Sequence, residues 1–566
     1  MDIMSFFKKG RNKVRRNGSK SPLIKHINNN TQDEYDQAHN RYNSTLTQRT
    51  TLRGQLLQRN GDIPLSELAE LLGGVPVPIT DAFEDRCWVT IEPKSGQKVL
   101  DQNKVFLIWT SVSRNFPKPP PLDQELCQHL KQVKDVILHE LVRLGQLLEP
   151  LGLAGCLINC YHRQTFDHLS VLLKDATSAK KTFELMYWAQ HVYLSKDLLN
   201  HPEVQELDPL NKVDLVLFQE WQKKAEGKLL ENVQTDVQRS LEKILQNEEA
   251  EENCDCEEAY VSLYVDTIQC ISAMKKAAEN ISADLTPPVK DICFRELLRF
   301  MRSYSTEQIK VLEKKAEPDK LETIHFLKTL RTCRELKLFL ETEGAGVQLL
   351  LLSEMKGKLE DMEEFTMNLL KDAVTHIAKS HLKKYFKSKD KRFMLCTAIN
   401  EHFPKLEYLR EEQTEVVDEI YKLVVGLYVR HLVQRSQKKL KINWSHNIKQ
   451  TVAEDAEFLH SCMSDLAPGV QQWNFLLLQI REILNCDNIE GLKITSATIQ
   501  DHCLTKRSQE DMELLPCLLR WKGLRSQEVV EVMDALPREH QPPAHAEHRL
   551  RCGPSWSRCV SCLPVG

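Results

Sequence analysis

The stretch "LKQVKDVILHELVRLGQLL", residues 130–148, carries apolar side chains at Leu130, Val133, Ile137, Leu141, Leu144 and Leu148. Steps of 3, 4, 4, 3 and 4 place all six on one face of an α-helix, with charged residues between them. The same pattern returns at Leu230, Val233, Val237, Leu241 and Ile244, and again at Val417, Ile420, Val424 and Leu427. Prolines fall mostly between such segments: Pro150, Pro202, Pro209, Pro287-Pro288, Pro318, Pro404, Pro468 and Pro516. Alternating strands and Asn-Gly or Asp-Gly hairpin turns are missing from 122–535, and no fixed-period repeat runs through it. The pattern predicts an all-α chain of roughly fifteen to twenty amphipathic helices in successive antiparallel bundles.

A second stretch asks whether such a helix holds a pocket. "TFELMYWAQHVYLSKDLLNHPEV", residues 182–204, gathers Phe183, Met186, Tyr187, Trp188, Val192 and Tyr193 before a polar turn and His201-Pro202. Helical spacing sets Phe183, Met186, Tyr187 and Leu194 along one side, with Trp188 and Val192 beside them. Gln190 is the one polar residue on that stripe, its amide expected to reach a backbone group or the bundle edge. Aromatics bury large areas between helices, and no convergent polar chemistry stands nearby, so the stretch reads as bundle core.

Composition bounds the rest. The 566 residues are 41% apolar and 28% charged with a net charge of −4, the balance of a folded globular chain of several domains. No secretory signal and no long uncharged apolar window stand out. Seventeen cysteines, with Cys127, Cys160, Cys270 and Cys333 lying singly in helical runs, read as free thiols in a reducing compartment. The expected organisation is a basic, largely disordered arm over 1–50 and a short helix with a Pro-rich irregular linker over 51–121. Helical bundles follow over 122–286, 287–404 and 405–537, then an irregular Cys-containing tail over 538–566.

Catalytic and cofactor signatures are missing. No GxxxxGK[ST], GxGxxG or GxSxG occurs. "HELVR", 139–143, lacks the second His of a zinc helix, since Arg143 stands there; His139 and Glu140 read as outer-face residues. Cys254 and Cys256 sit in an acidic run that disfavours thiolate chemistry. Cys552, Cys559 and Cys562 with His548 make at most half a recognisable metal site, so the tail reads as unstructured. No catalytic, cofactor or metal residues are assigned.

Three basic features remain. The arm carries Lys8, Lys9, Arg11, Lys13, Arg15, Arg16, Lys20 and Lys25 against one acid, Asp2, beside Phe6 and Phe7. Each cation near an anionic leaflet contributes about 1 kcal/mol, and the phenylalanines suit the interface. A solubilising tail, a nuclear-localisation-like patch and nucleic-acid contact are alternatives. The basic run lacks interleaved aromatics, which argues against nucleic acid. "KSHLKKYFKSKDKR", 379–392, adds Lys383, Lys384, Lys387, Lys389, Lys391 and Arg392, and "RSQKKLK", 435–441, adds Arg435, Lys438, Lys439 and Lys441. Both are read first as cations at helix ends, favoured by the dipole, and second as surfaces for anionic lipid or an acidic partner.

The order of several motifs resembles the exocyst complex component 3 family, on the side of its tumour necrosis factor alpha-induced protein 2 (M-Sec) and component-3-like branches. In "MYWAQHVYLSKDLLNHPEV", Trp188 and Tyr193 match the family's Trp-Val-x-x-x-Tyr helix, with Ala189 in place of Val. "AAENISADLTPPVKDICFRELLRFMRSY", 277–304, resembles a helix pair closing on Phe300, Ser303 and Tyr304. "EIYKLVVGLYVRHLVQRSQKKL", 419–440, is similar at Tyr428, Leu432 and Arg435. "QIREILNCDNIEGLKITSATI" and "LLPCLLRWKGLRSQEVVEVMDAL", with Gly523 in the turn before the last helix, resemble the family's final helices.

The likeness covers roughly residues 122–537, while 75–121 and the tail match nothing in it. It implies an elongated rod of stacked helical bundles and a non-enzymatic role in vesicle tethering, exocytosis and membrane protrusion. The partners it implies are exocyst subunits, SNARE proteins, a Ral-type small GTPase and an anionic phosphoinositide surface at the inner face of the plasma membrane. The alternative is a cytosolic α-helical adaptor without a membrane role; a helical enzyme with an unrecognised site ranks below both.

Overall fold

The computed structural model describes residues 65–73, 102–120, 126–250, 257–318, 320–387, 393–403, 409–444, 447–506 and 509–537. The arm with Phe6 through Lys25, the stretch 74–101, Cys254 and Cys256, residues Lys389, Lys391 and Arg392, and the tail 538–566 lie outside them. Among the described residues every regular element is helical, as the periodicity predicts. The chain divides into two compact units, 1–305 with 335–359 and 306–334 with 360–566.

Unit 1 contains α1 (Leu65–Leu71), α2 (Gln102–Asn115), α3 (Leu126–Leu148), α4 (Ala154–Lys174), α5 (Ala179–Tyr187), α6 (Leu215–Ala250) and α7 (Glu257–Glu279). The unit boundary falls inside α8 (Thr286–Lys315), α9 (Thr323–Glu343) and α10 (Leu349–Tyr385). Unit 2 continues with α11 (Leu395–Asn400), α12 (Arg410–Val433), α13 (Gln437–Asn443), α14 (Ile448–Leu466), α15 (Phe475–Asn485), α16 (Ile489–Lys506), α17 (Gln509–Lys522) and α18 (Ser526–Asp534).

On α3 all six residues of the periodic face are buried, and α3 packs against α4. Leu207, from the 3-10 turn Pro202–Leu207, leaves no room for a Cβ at Gly145, so the helix is bare where that turn crosses it. On α6 the buried face runs through Trp221, Ala225, Leu229, Val233, Val237 and Leu241, and Leu230 and Ile244 are only half-buried. Residues 102–115, expected to be irregular, form α2. Leu107, Ile108, Val112 and Phe116 are buried at helical spacing, and packing against α4 overrides the β-branched bias of the run.

The aromatic stretch is core, with a shifted face. α5 runs on into a π-turn over Trp188–Tyr193. A π-turn holds more residues per turn, so positions beyond it lag the α-helical face. Thr182, Phe183, Leu185, Met186, Trp188, Ala189 and Tyr193 are buried, while Tyr187, Val192 and Leu194 are half-buried. Gly523, at φ 118°, closes α17 through Leu524 N–H donating to Leu519 O at 3.2 Å and Gly523 N–H to Arg520 O at 2.9 Å.

Candidate functional site

Two interior clusters account for much of the buried polarity. In unit 1 a buried His pair, His129 and His168, meets Nε2 to Nε2 at 2.7 Å, with Phe116 edge-on to His168. Burial lowers both imidazoles, and His129 lowers His168 further, to about 4. His162 hydrogen-bonds the Tyr193 hydroxyl at 3.0 Å and the Asp214 carbonyl at 2.8 Å. Glu140, expected on the outer face, is buried and pairs with Arg143, while His139 beside it is exposed. A carboxylate one turn from a guanidinium can face inward because its charge stays compensated. Each of these groups faces a protein partner rather than a cavity.

In unit 2 the Asp455 carboxylate accepts hydrogen bonds from Tyr385 at 2.7 Å and Tyr428 at 2.5 Å, both on the same oxygen. Burial raises its pKa to about 6 against the lowering effect of the two phenols. This cluster fixes the base of a basic surface. α10 ends at Tyr385, and Leu382, Tyr385 and Phe386 turn inward. The ring of Phe386 packs 5.1 Å from Tyr428 and 5.0 Å from Trp444. With that side buried, Lys379, Lys383 and Lys387 share the opposite, exposed face at i, i+4 spacing, with Lys384 beside them.

The helix after the second basic run is held against the end of α10. Ser436 caps α13, accepting from Lys439 N–H at 3.4 Å, and Leu440 and Trp444 anchor it inward. Lys438, Lys439 and Lys441 are left exposed. Asn443 Nδ2 donates to Lys387 O at 3.5 Å, tying α13 to the end of α10, and Trp521 Nε1 of α17 donates to Arg435 O at 2.7 Å just before α13. His431, stacked on Phe386, is lowered first by burial and then by the charges of Arg435 and Lys379. His381 is lowered by burial and by Lys384, with Glu401 opposing.

An open cavity of about 1070 Å³ lies here, lined by His376, Lys379, His381, Lys383, Lys384 and Lys387 on one side and by Phe393, Met394 and Leu395 on the other. Among the described residues no carboxylate pairs with Lys379, Lys383, Lys384, Lys387, Lys438, Lys439 or Lys441. Lys371 and Lys422, by contrast, both pair with Glu419 at 2.6 Å. Uncompensated cations around a concave wall raise the local positive potential and draw anions. Exposed apolar side chains stand on the same unit: Met394, Phe458 and, beside Lys441, Ile442 at 71% exposure. Among the described residues no group of three or more metal-ligating side chains converges, and no helix is long and apolar enough to cross a membrane.

Sequence reasoning named the lysines of this surface but not their meeting. The signal was available only in part, as aromatic anchors (Tyr385, Phe386, Trp444) following each basic run.

Residues 111–325 match the family model of exocyst complex component Sec6. Over that range, less than half of the chain, the sequence is similar to Sec6. The resemblance read from the motifs is thereby shown, and the relatives agree with it. Tumor necrosis factor alpha-induced protein 2 of Mus musculus is 20% identical over 351 residues, 60% of this chain and 50% of its own length. The Homo sapiens protein of the same name is 25% identical over 187 residues, 31% of this chain and 28% of its own. The chain thus matches half or less of the length of these relatives. Among solved structures, the crystal structure of M-Sec superposes with a TM-score of 0.53 at 18% identity, covering 78% of this chain and 79% of that one. That likeness concerns the helical fold. The basic surface on α10 and α13 lies beyond the Sec6-matched range.

Proposed function

We propose that the chain is a non-enzymatic, exocyst-related tethering scaffold that meets an anionic membrane surface through lysines. The observation that carries this reading is the cavity lined by Lys379, Lys383, Lys384 and Lys387, without described counter-charges, with the exposed lysines of α13 on a helix held to the end of α10, in a chain with a Sec6-like region. The cations supply attraction to phosphoinositide headgroups, about 1 kcal/mol each near the leaflet. Met394, Phe458 and Ile442 are apolar groups of the kind that enter the interfacial zone. The polybasic arm, with Phe6, Phe7 and its eight cations, acts as a second contact.

In this reading the chain works in the cytoplasm, peripherally at the inner face of the plasma membrane, in exocytosis and membrane remodelling. Exocyst subunits, SNARE proteins and a Ral-type small GTPase are its protein partners. The Sec6 match supports the first of these most directly.

Co-sedimentation with vesicles containing phosphatidylinositol bisphosphate tests the membrane contact at low and physiological salt. The full chain, a chain lacking 1–27, and a chain with Lys383→Glu, Lys384→Glu and Lys438→Glu are compared. Salt-sensitive binding that weakens at least tenfold in the charge-reversed chain supports the surface. Loss on truncation alone moves the contact to the arm. No binding by any chain favours the cytosolic adaptor.

A further inference from the structure

Beneath one wall of the basic cavity two cysteines on different helices face each other. Cys396 opens α11 one residue after the cavity-lining Leu395, and Cys462 lies on α14; both are buried. Their side chains are neighbours. Cys462 Sγ also lies 3.7 Å from the Cys396 carbonyl and 3.2 Å from Asn400 Oδ1. Asn400 is exposed, so the pair sits one side chain below the surface. The neighbouring Cys396 draws the Cys462 thiol down against the opposing effects of burial and Asp465, while Cys462 and burial push Cys396 up. Cys462 is the less buried of the two and lies against the exposed Asn400, so it is the sulfur that a small oxidant reaches first.

Two other neighbouring pairs among the described cysteines differ in placement. Cys270 and Cys293 are near neighbours on α7 and α8, and burial raises both thiols. Cys156 and Cys160 share one turn of α4, where a bridge joins nothing that the helix does not already hold.

We propose that Cys396 and Cys462 are an oxidation site that closes to a disulfide with a peroxide, joining α11 to α14. The Cys462 thiolate attacks one peroxide oxygen; the O–O bond breaks, and a sulfenic acid and water form once the leaving hydroxide takes a proton. The Cys396 sulfur then attacks Cys462 Sγ, the S–O bond breaks, and the sulfenic oxygen leaves as a second water. Two thiols lose two electrons and two protons, and one hydrogen peroxide becomes two waters. The product fixes α11, and with it the Phe393–Leu395 wall, to the body of unit 2. This inference is independent of the membrane reading.

The full chain, reduced and then exposed to hydrogen peroxide, is alkylated with N-ethylmaleimide, digested without reductant and mapped by mass spectrometry. A peptide pair joined through Cys396 and Cys462, released by dithiothreitol and formed before other linked pairs, is the expected result. With Cys396→Ser, dimedone is expected to trap a sulfenic acid at Cys462 of the folded chain. Oxidation of other cysteines while these two remain alkylated, or a bridge from either to a different cysteine, overturns the proposal. The mapping on the unsubstituted chain decides without any variant, so a misfolded serine variant leaves the test intact.

Discussion

In the core of unit 1 two buried histidines, His129 and His168, are in contact at 2.7 Å. In unit 2 the corresponding group is a carboxylate, Asp455, held by two phenols. Both clusters satisfy polar atoms that would otherwise be costly to bury. They respond to protons in opposite ways, because burial favours the neutral form: the unprotonated imidazole in one case, the protonated acid in the other. Like bundles can therefore carry opposite pH dependence, set by which residue type fills the polar position.

The largest effect is expected in unit 1. The His168 pKa falls from 6.5 to about 4, so between those values the unfolded chain binds more protons than the folded one. The stability this provides is present above pH 6.5 and lost as pH falls through about 4, roughly 3 kcal/mol from His168 alone. His129 is shifted in the same direction and adds to it. Hydrogen exchange of α3 and α4 amides across this range should show falling protection, and His168→Gln should flatten the slope. An unchanged slope in the variant removes the histidine pair from the account. Asp455 should act in reverse and somewhat more weakly. Its pKa rises from 3.8 to about 6, so its contribution is full below pH 3.8 and is lost as pH rises through about 6. The loss is roughly 2–3 kcal/mol. Asp455→Asn should remove that fall from the α12 and α14 amides; a variant that still follows the original profile breaks the comparison.

The contrast between the units was not legible in the sequence, although the helices were. The 130–148 periodicity located every apolar core residue of the α3 face it named, because a one-sided helix announces its buried stripe. α12 is buried on more sides, at Val416, Tyr421, Val425 and Val429 as well as at the four residues of the periodic face. A narrow stripe underestimates such a helix. His129, His168 and Asp455 look like surface residues in a polar pattern; their burial depends on partners tens of residues away. The π-turn at Trp188–Tyr193 carries no local signal that periodicity detects, and it displaced Val192 and Leu194 from the expected face. The lysines of 379–387 and 435–441 were identifiable singly. Their convergence required Trp444 to pack on Tyr385 and Phe386, a contact between residues far apart in the chain.

The smallest effects sharpen the comparison most, since they remove one hydroxyl from each cluster. Tyr428→Phe deletes a hydrogen bond to a carboxylate, and Tyr193→Phe deletes one to a neutral imidazole at 3.0 Å. Bonds to charged groups contribute about 1.5–3 kcal/mol and neutral ones about 1 kcal/mol. Tyr428→Phe should therefore cost about 2 kcal/mol at pH 7.5, where Asp455 is ionised, and less near pH 5, where the acid is protonated. It should also push the Asp455 pKa higher, because the phenol that favours the carboxylate is gone. Tyr193→Phe should cost about 1 kcal/mol at pH 7.5, with a smaller pH dependence than Tyr428→Phe, because burial lowers the pKa of His162. Urea unfolding of both variants at these pH values, read with peptide-resolved exchange, separates the two behaviours. Equal and pH-independent costs would mean that Asp455 stays protonated throughout, and that the two cores differ in residue type but not in charge.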